Sequence, residues 1–449
     1  MSISKSRKHW TSFQVIIAGF AALILTGTAL LMLPFSSRQG KWTPFIDALF
    51  TSTSASCVTG LIVQDTATYW SPFGHLVIIS LIQIGGMGVV TMAVAIAMVS
   101  GRKIGLRQRR TMQDAISAQQ VGGIVRMTGF ILKCSLFFEL MGAIAFSFVF
   151  IPEYGLVKGI WYSVFHAISA FCNAGFDLMG VKGHFSSLTD YTGNDVVNLT
   201  VMRLIIIGGI GFAMWADFAR HGFRVKRYRM QTKVVLTTSA LLIFIPALYF
   251  YFFEFSLPVW NGMTLAEKLW ASLFRSVTTR TAGFNTVDMT QFTEAGIMIN
   301  VFLMLVGGSP GSTAGGMKTT TLAVLLATAI AVFRRTGNPA YYGRRIGEDA
   351  IRNAATVMTM YVVLCVSGAV IISIAEKLPM MTCLFETASA VGTVGLTLGI
   401  TPGLSTISRL VLICLMYFGR VGGLTIIFAT VKSVHNGSAK YPLEKITVG

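Results

Sequence analysis

Ser54-Ala55-Ser56-Cys57-Val58-Thr59-Gly60-Leu61 (SASCVTGL) is the stretch that decides the fold, because the chain contains three further versions of it. They are SAFCNAGF (Ser169 to Phe176), VTTRTAGF (Val277 to Phe284) and SAVGTVGL (Ser389 to Leu396). Their glycines Gly60, Gly175, Gly283 and Gly395 stand 115, 108 and 112 residues apart. Self-similarity at a near-constant period points to repeated supersecondary units. Four copies of one loop predict one site made by four.

Working outward, each loop is embedded in the same order of segments: a long apolar run, a short run that ends in the loop, and a second long apolar run. The expected spans are 13–33 and 73–99 around a short run at 43–54, then 127–151 and 198–218 around 158–170. The third set is 233–253 and 296–334 around 265–278, and the fourth 353–375 and 407–430 around 381–390. About 21 helical residues reach roughly 31 Å and cross a ~30 Å hydrocarbon core, whereas a dozen reach only ~18 Å. The short runs must therefore enter and turn back, and irregular backbone at that depth needs protein or water around it. Thr43 before Pro44 reads as an N-cap, and Thr264 with Glu267 as a capping box.

The expectation is an all-α membrane protein of four tandem helix–pore-loop–helix repeats, with eight transmembrane helices in pseudo-fourfold symmetry around one pore. The repeats are expected at 1–110, 111–226, 227–340 and 341–449, the third with an intramembrane gating loop and the fourth with a short C-terminal tail. A bundle whose glycines only permit close helix contact would explain glycines inside spans. It would not explain a Ser/Thr-rich loop after a run too short to cross.

Composition supports the membrane reading: 53% of the 449 residues are hydrophobic and 12% charged, against about 25% charged in soluble domains. Lys and Arg number 36 against 18 acids, but their placement argues against a nucleic-acid partner. The basic residues cluster at the N-terminus, in Gly101 to Arg110, in Arg220 to Lys233 and from Arg334 to Arg352, which are alternate connections between apolar runs. The other connections hold most of the acids, including Asp65, Asp177 and Asp288. This is the positive-inside pattern and predicts a multi-pass protein of the cell membrane with both termini cytoplasmic. Arg203 and Arg409, near the outer helix ends, are expected to snorkel. Six scattered cysteines without a CxxC pair give no disulfide framework or metal site, and Cys57 and Cys172 are expected to fill space. His75 and His166 have no evident partner in the sequence, and no nucleophile, base and orienting group form a catalytic constellation. An enzyme is not expected.

The loops carry the chemistry of a cation site. A cation leaving water needs its hydration shell replaced, and a ring of backbone carbonyls can do so without fixed charge. Glycine at φ > 0 lets successive carbonyls turn toward one axis, and the negative end of each short helix favours a cation there. No carboxylate occurs in the four eight-residue runs. Arg280 interrupts the third and is expected to point behind the loop, bonding loop carbonyls.

The tripeptides Val58-Thr59-Gly60, Asn173-Ala174-Gly175, Thr281-Ala282-Gly283 and Thr393-Val394-Gly395 resemble the selectivity filters of the Trk/Ktr/HKT potassium transporter superfamily. The resemblance covers essentially the whole chain and is greatest to the membrane-spanning Ktr subunit. It implies potassium uptake, with the potassium ion held by these backbone carbonyls, and four glycines in the filter accompany potassium preference. It also implies a homodimer in the lipid bilayer, a cytoplasmic nucleotide-binding regulatory ring of the RCK/KTN type, and no covalent cofactor. Sodium is an expected modulator, and a sodium/potassium transporter of the same superfamily is an alternative. Another is the potassium-binding subunit of a P-type pump, which is expected to have additional spans at its ends.

A second glycine mark recurs in the later long runs: IGGMG (Ile84 to Gly88), IGGIG (Ile207 to Gly211), VGGSPG (Val306 to Gly311) and FGRVGG (Phe418 to Gly423). It matches Gly86, Gly209 and Gly308 with Arg420. In the third run GGSPGSTAGGMK (Gly307 to Lys318) cannot sustain a helix. It is not a phosphate loop either, since Met317 separates Gly316 from Lys318 and apolar runs flank it. Broken backbone at membrane depth lines a cavity. The resemblance implies a gating loop of Gly307, Gly308, Ser309, Pro310, Gly311, Ser312, Thr313, Ala314, Gly315 and Gly316, with Arg420 projecting beside it as a barrier. Lys318 is expected either to pair with the loop backbone or to add to that barrier.

Overall fold

The computed structural model describes residues 10–100, 105–115, 123–423 and 425. The N-terminal basic run as far as residue 9, residues 101–104 of the second basic cluster and the C-terminal tail lie outside the described residues, as does most of the last expected span beyond residue 423. The described residues fold mostly as helices. First come α1 (Ser12–Met32), α2 (Phe45–Ser56), α3 (Thr66–Tyr69), α4 (Pro72–Met87), α5 (Val89–Val99) and α6 (Leu106–Ala115). They are followed by α7 (Ile124–Tyr154), α8 (Leu156–Phe171), α9 (Asp195–Ile210) and α10 (Phe212–His221).

The third group is α11 (Met230–Tyr249), α12 (Leu265–Thr278), α13 (Glu294–Leu305) and α14 (Thr319–Phe333). A two-stranded hairpin, β1 (Ala340–Tyr341) with β2 (Arg344–Arg345), precedes α15 (Glu348–Glu376), α16 (Met380–Gly392) and α17 (Thr406–Val421). The short helices α2, α8, α12 and α16 each lead into one of the four loops. The capping box of Thr264 and Glu267 forms at the start of α12. Thr43 does not cap α2: Pro44 takes the N-cap position, and no side chain caps this end.

Among the described residues four helices are long and apolar enough to cross a bilayer: Ser12–Met32, Ile124–Tyr154, Met230–Glu254 and Glu348–Glu376. The expected spans 73–99 and 198–218 are not straight. Each is a pair of helices bent by 96° (α4 with α5) or 94° (α9 with α10), giving up to six spans by length and composition among the described residues. The bends fall at Gly88 and Gly211, with φ of 86° and 104°, and Gly422 at the end of α17 has φ 89°. Only glycine takes these angles without penalty. The third glycine of the first two marks is thus a bend, a property that the recurring pattern did not reveal. The segment 294–333 is interrupted as expected, by an irregular loop between α13 and α14.

The first glycine of three of the four marks solves a packing problem. A methyl group on Gly85, Gly208 or Gly419 would overlap the carbonyl oxygen of Ser56, Phe171 or Val391 at the end of the corresponding short helix. The long helices therefore pass directly against the ends of the short ones. Around this centre, Phe146, Phe150, Phe165 and Phe171 pack one side, and Phe250, Phe255, Trp260 and Phe292 the other. Arg409 does not simply snorkel: its guanidinium pairs with Asp47 at 2.6 Å, tying α17 to α2. His75 and His166 also have partners, the Thr66 and Tyr162 carbonyls at 2.8 and 2.7 Å. Gly85→Ala is expected to destabilise the purified protein by about 1–3 kcal/mol, the usual cost of forced overpacking, read as a lowered unfolding midpoint in detergent; an unchanged midpoint would mean that α4 does not rest on α2 this closely.

Candidate functional site

The four loops meet in a closed ring. A methyl group on Gly60 would strike the carbonyl oxygen of Ala174, one on Gly175 that of Ala282, one on Gly283 that of Val394, and one on Gly395 that of Thr59. Each tripeptide thus abuts the next, and the last abuts the first. The expected filter residues are brought together, and every side of the ring is too tight for a Cβ.

The backbone in the ring alternates in handedness. Val58, Asn173, Thr281 and Thr393 have φ of 57°, 59°, 69° and 51°, and the glycines at the third positions have φ of 94°, 71°, 82° and 94°. A non-glycine residue at positive φ is uncommon, and here all four loops place one at the same position. Alternating handedness turns successive carbonyls to the same side of the strand. The amides are held from behind. Thr59, Ala174 and Val394 donate to the Ser54, Ser169 and Ser389 carbonyls at 2.8 Å, and Ala282 donates to the Thr278 carbonyl at 3.0 Å. Gly60 and Gly395 donate to the Ser54 and Ser389 hydroxyls at 3.1 and 3.0 Å. By contrast, the carbonyls of all three residues in each loop, twelve in all, accept no hydrogen bond among the described residues.

Two cavities lie on either side of the ring. One, of about 220 Å³, is lined by all four ring glycines together with Asp65, Asp177 and Asp288. Asp65 is positioned by donors from two segments, the Thr68 amide at 2.9 Å and the Phe185 amide at 3.0 Å. Burial pushes the Asp177 carboxyl up to about 6, helped by the negative charge of Asp65 and opposed by the Met179 amide and the Ser187 hydroxyl. The other cavity, of about 290 Å³, is lined by Gly86, Ser312, Lys318, Tyr361 and Arg420 among others.

The loop 306–318 lies between the ring and this second cavity, and is stitched to its neighbours by backbone bonds. Gly307 donates to Met317 at 2.7 Å, Ser309 to Gly209 at 2.9 Å, Thr313 to Gly208 at 3.2 Å and Gly316 to Gly419 at 3.3 Å. Thr313 Oγ1 also donates to the Phe171 carbonyl at 3.1 Å, at the base of the second ring segment. Arg420 spans the remaining gap. It donates to the Thr313 carbonyl on one side and to the Gly85 and Gly86 carbonyls on the other, the last at 2.9 Å. Lys318 takes the first of its two expected places and donates to the Ala314 carbonyl at 2.9 Å and the Gly315 carbonyl at 3.3 Å.

Arg280 points behind the loop as expected, but its partner is the Ser239 hydroxyl of α11 at 3.0 Å instead of a loop carbonyl. Cys57 and Cys172 are fully buried. Cys172 also ends a chain that the sequence did not disclose: its thiol donates to Gln83 Oε1 at 3.5 Å, and Gln83 Nε2 donates to Glu139 at 3.0 Å. Glu139 is a carboxylate within the long helix α7, where its isolation inside an apolar run (CSLFFELMGAIAF) is the signal that could have drawn attention to it. Among the described residues no group of three or more His, Cys, Asp or Glu could hold a metal ion.

Among the described residues, a ring of carbonyls without donors stands between two cavities inside an apolar helical protein, the architecture of a membrane transport protein. The chain belongs to the TrkH family of cation transport proteins, whose family model matches residues 3–440. It is 42% identical to the potassium/sodium uptake protein NtpJ of Enterococcus hirae and 39% identical to the Ktr system potassium uptake protein B of Bacillus subtilis, covering 100% of both chains in each case. Its fold matches the crystal structure of the potassium transporter TrkH from Vibrio parahaemolyticus with a TM-score of 0.71, at 21% identity, over 96% of this chain and 87% of that one.

Because the Asp177 carboxyl loses its charge as pH falls through about 6, cation uptake is expected to decline on acidifying the face that carries it. Asp177→Asn is expected to show low uptake without that step. The check is flux in proteoliposomes across pH 5 to 8, and a wild-type profile that is flat through pH 6 would exclude a role for this carboxylate.

Proposed function

We propose that the chain carries potassium into the cell through a channel-like route at the centre of the ring. The observation that carries this reading is the set of twelve unpaired carbonyls of Val58, Thr59, Gly60, Asn173, Ala174, Gly175, Thr281, Ala282, Gly283, Thr393, Val394 and Gly395. Buried carbonyls are nearly always paired, and a dehydrated cation is a partner that can satisfy several at once. The names of the NtpJ and Ktr relatives supply the ion. NtpJ is named for sodium as well, which keeps sodium as a second substrate or modulator.

On this reading the chain crosses the cell membrane eight times as four repeats (1–110, 111–226, 227–340 and 341–449) with both termini in the cytoplasm. The interrupted segment 294–333 and α17 supply the crossings beyond the six allowed by helix length. The carboxylates Asp65, Asp177 and Asp288 stand at the outer entrance and draw cations toward the ring.

Gly307 to Gly316 and Arg420 form the gate below it. Arg420 donates to both sides of the passage, and a guanidinium beside a cation path repels the ion as well as obstructing it. The gate opens when the loop and Arg420 exchange these bonds for others, under the control of a cytoplasmic RCK/KTN-type nucleotide-binding ring acting on a homodimer. A Ktr relative named as protein B of a system fits a chain that works with other subunits.

Expression with such a partner in potassium-uptake-deficient cells is expected to restore growth at low potassium, and failure would remove potassium uptake as the function. Gly60→Ser is expected to lower the preference for potassium over sodium several-fold, because a side chain at φ 94° meets the Ala174 carbonyl. Ion competition in reconstituted vesicles measures it, and unchanged selectivity contradicts a filter at this loop. Arg420→Ala is expected to raise flux at least several-fold without the partner; reduced flux in folded protein would show that Arg420 assists passage instead of limiting it.

A further inference from the structure

The ring and the loop beneath it are in direct contact, and one side chain joins them. Asn173, Thr281 and Thr313 are all buried. Asn173 Oδ1 accepts from Thr313 Oγ1 of the loop at 3.4 Å, and the same hydroxyl reaches the Phe171 carbonyl at 3.1 Å. Asn173 Nδ2 donates to the Arg280 carbonyl at 3.4 Å and to Thr281 Oγ1 at 3.5 Å, both in the third segment. One amide side chain therefore connects the loop to two adjacent segments of the ring. Gly208 leaves room for the meeting: a methyl group there would lie 2.9 Å from Thr313 Oγ1 and 3.0 Å from Asn173 Oδ1.

Two more ring residues meet the loop by packing. A methyl group on Gly307 would lie 3.0 Å from Thr281 Cγ2, and one on Gly315 would overlap Thr393 Oγ1. Asn173, Thr281 and Thr393 are three of the four non-glycine residues at positive φ that set the ring, with φ of 59°, 69° and 51°. Asparagine tolerates this conformation better than most residues, and a threonine persists in it only where its surroundings over-determine it. Here part of those surroundings is the loop that has to move when the gate opens.

We propose that Thr313 and the Asn173 side chain are positioning residues for the ring. While the loop is seated they hold the second and third segments in the form that takes a potassium ion; when it leaves, that support is lost and the ring binds potassium less well. By linkage the same free energy acts in reverse, so an ion in the ring favours the seated loop. This coupling presupposes the ring as the potassium site, as proposed above, and adds that filter and gate are not independent.

Calorimetric titration of the full chain in detergent, with potassium and with sodium, tests it. Thr313→Val keeps the shape and removes the hydroxyl. Asn173→Thr installs the residue that the third and fourth segments carry at this position and removes the amide's bonds to both sides. Each is expected to weaken potassium binding roughly fivefold, the low end of coupling between sites, with sodium binding changed less. Thr313→Ser, which keeps the hydroxyl, is expected to bind potassium as the wild type does. A purely structural role would lower the unfolding midpoint and leave the affinity of the folded protein as it was. Unchanged potassium affinity in both variants, beside a wild type that binds potassium, would overturn the coupling and leave the ring as the site. Binding by Thr313→Ser as weak as that by Thr313→Val would overturn it too. A wild type that binds neither ion would remove the ring as the site, and the coupling with it.

Discussion

A carbonyl oxygen buried without a donor is a cost that folding normally avoids, and among the described residues this protein gathers twelve carbonyls without donors in a ring of four loops, all but Gly283 on buried residues. Everything nearby serves to keep them that way. The amides of the same residues are tied back to Ser54, Ser169, Thr278 and Ser389, so the strands cannot relax by turning over. The left-handed angles at Val58, Asn173, Thr281 and Thr393 would each be unfavourable alone, and they persist because the surrounding ends of α2, α8, α12 and α16 over-determine them. A partner brought to the ring's centre meets preorganised acceptors. They are organised in folding.

The same economy of space governs the region below. The first glycines of three of the recurring marks let the long helices touch the carbonyl ends of the short ones, and Gly88 and Gly211 turn the chain away through more than 90°. In the third segment the corresponding stretch is not a hinge but an extended loop. It completes its backbone bonding by borrowing Gly208, Gly209 and Gly419 from two neighbouring segments. Its bonds are thus mostly with other elements. Arg420 occupies the one position in the fourth mark where the others carry glycine. It is long enough to reach across from the loop to α4.

Much of this was legible in the sequence because repetition multiplies weak signals. No single tripeptide identifies a loop, but four in phase between apolar runs gave the short helices to within about two residues at most of their ends, and the interruption in the third segment followed from its glycines and proline. What stayed hidden was set by tertiary neighbours. The pairing of Asp47 with Arg409 joins residues at opposite ends of the chain, and no local pattern announces it. The bonds of His75 and His166 to nearby carbonyls depend on rotamers. Thr43 carried the right side chain for a cap, yet Pro44 took that position. The hinges at Gly88 and Gly211 were visible as letters but not as angles, since a glycine is as much a spacer as a bend until its φ is known.

The central claim is that the ring's carbonyls coordinate a dehydrated monovalent cation. Anomalous diffraction from crystals grown with thallium, a heavy monovalent substitute for potassium, tests it most directly. The account predicts thallium density at the centre of the ring, within coordination distance of carbonyls from all four loops, that weakens as potassium is added. Thallium found only among Asp65, Asp177 and Asp288 in the outer cavity, with an empty ring, would contradict it.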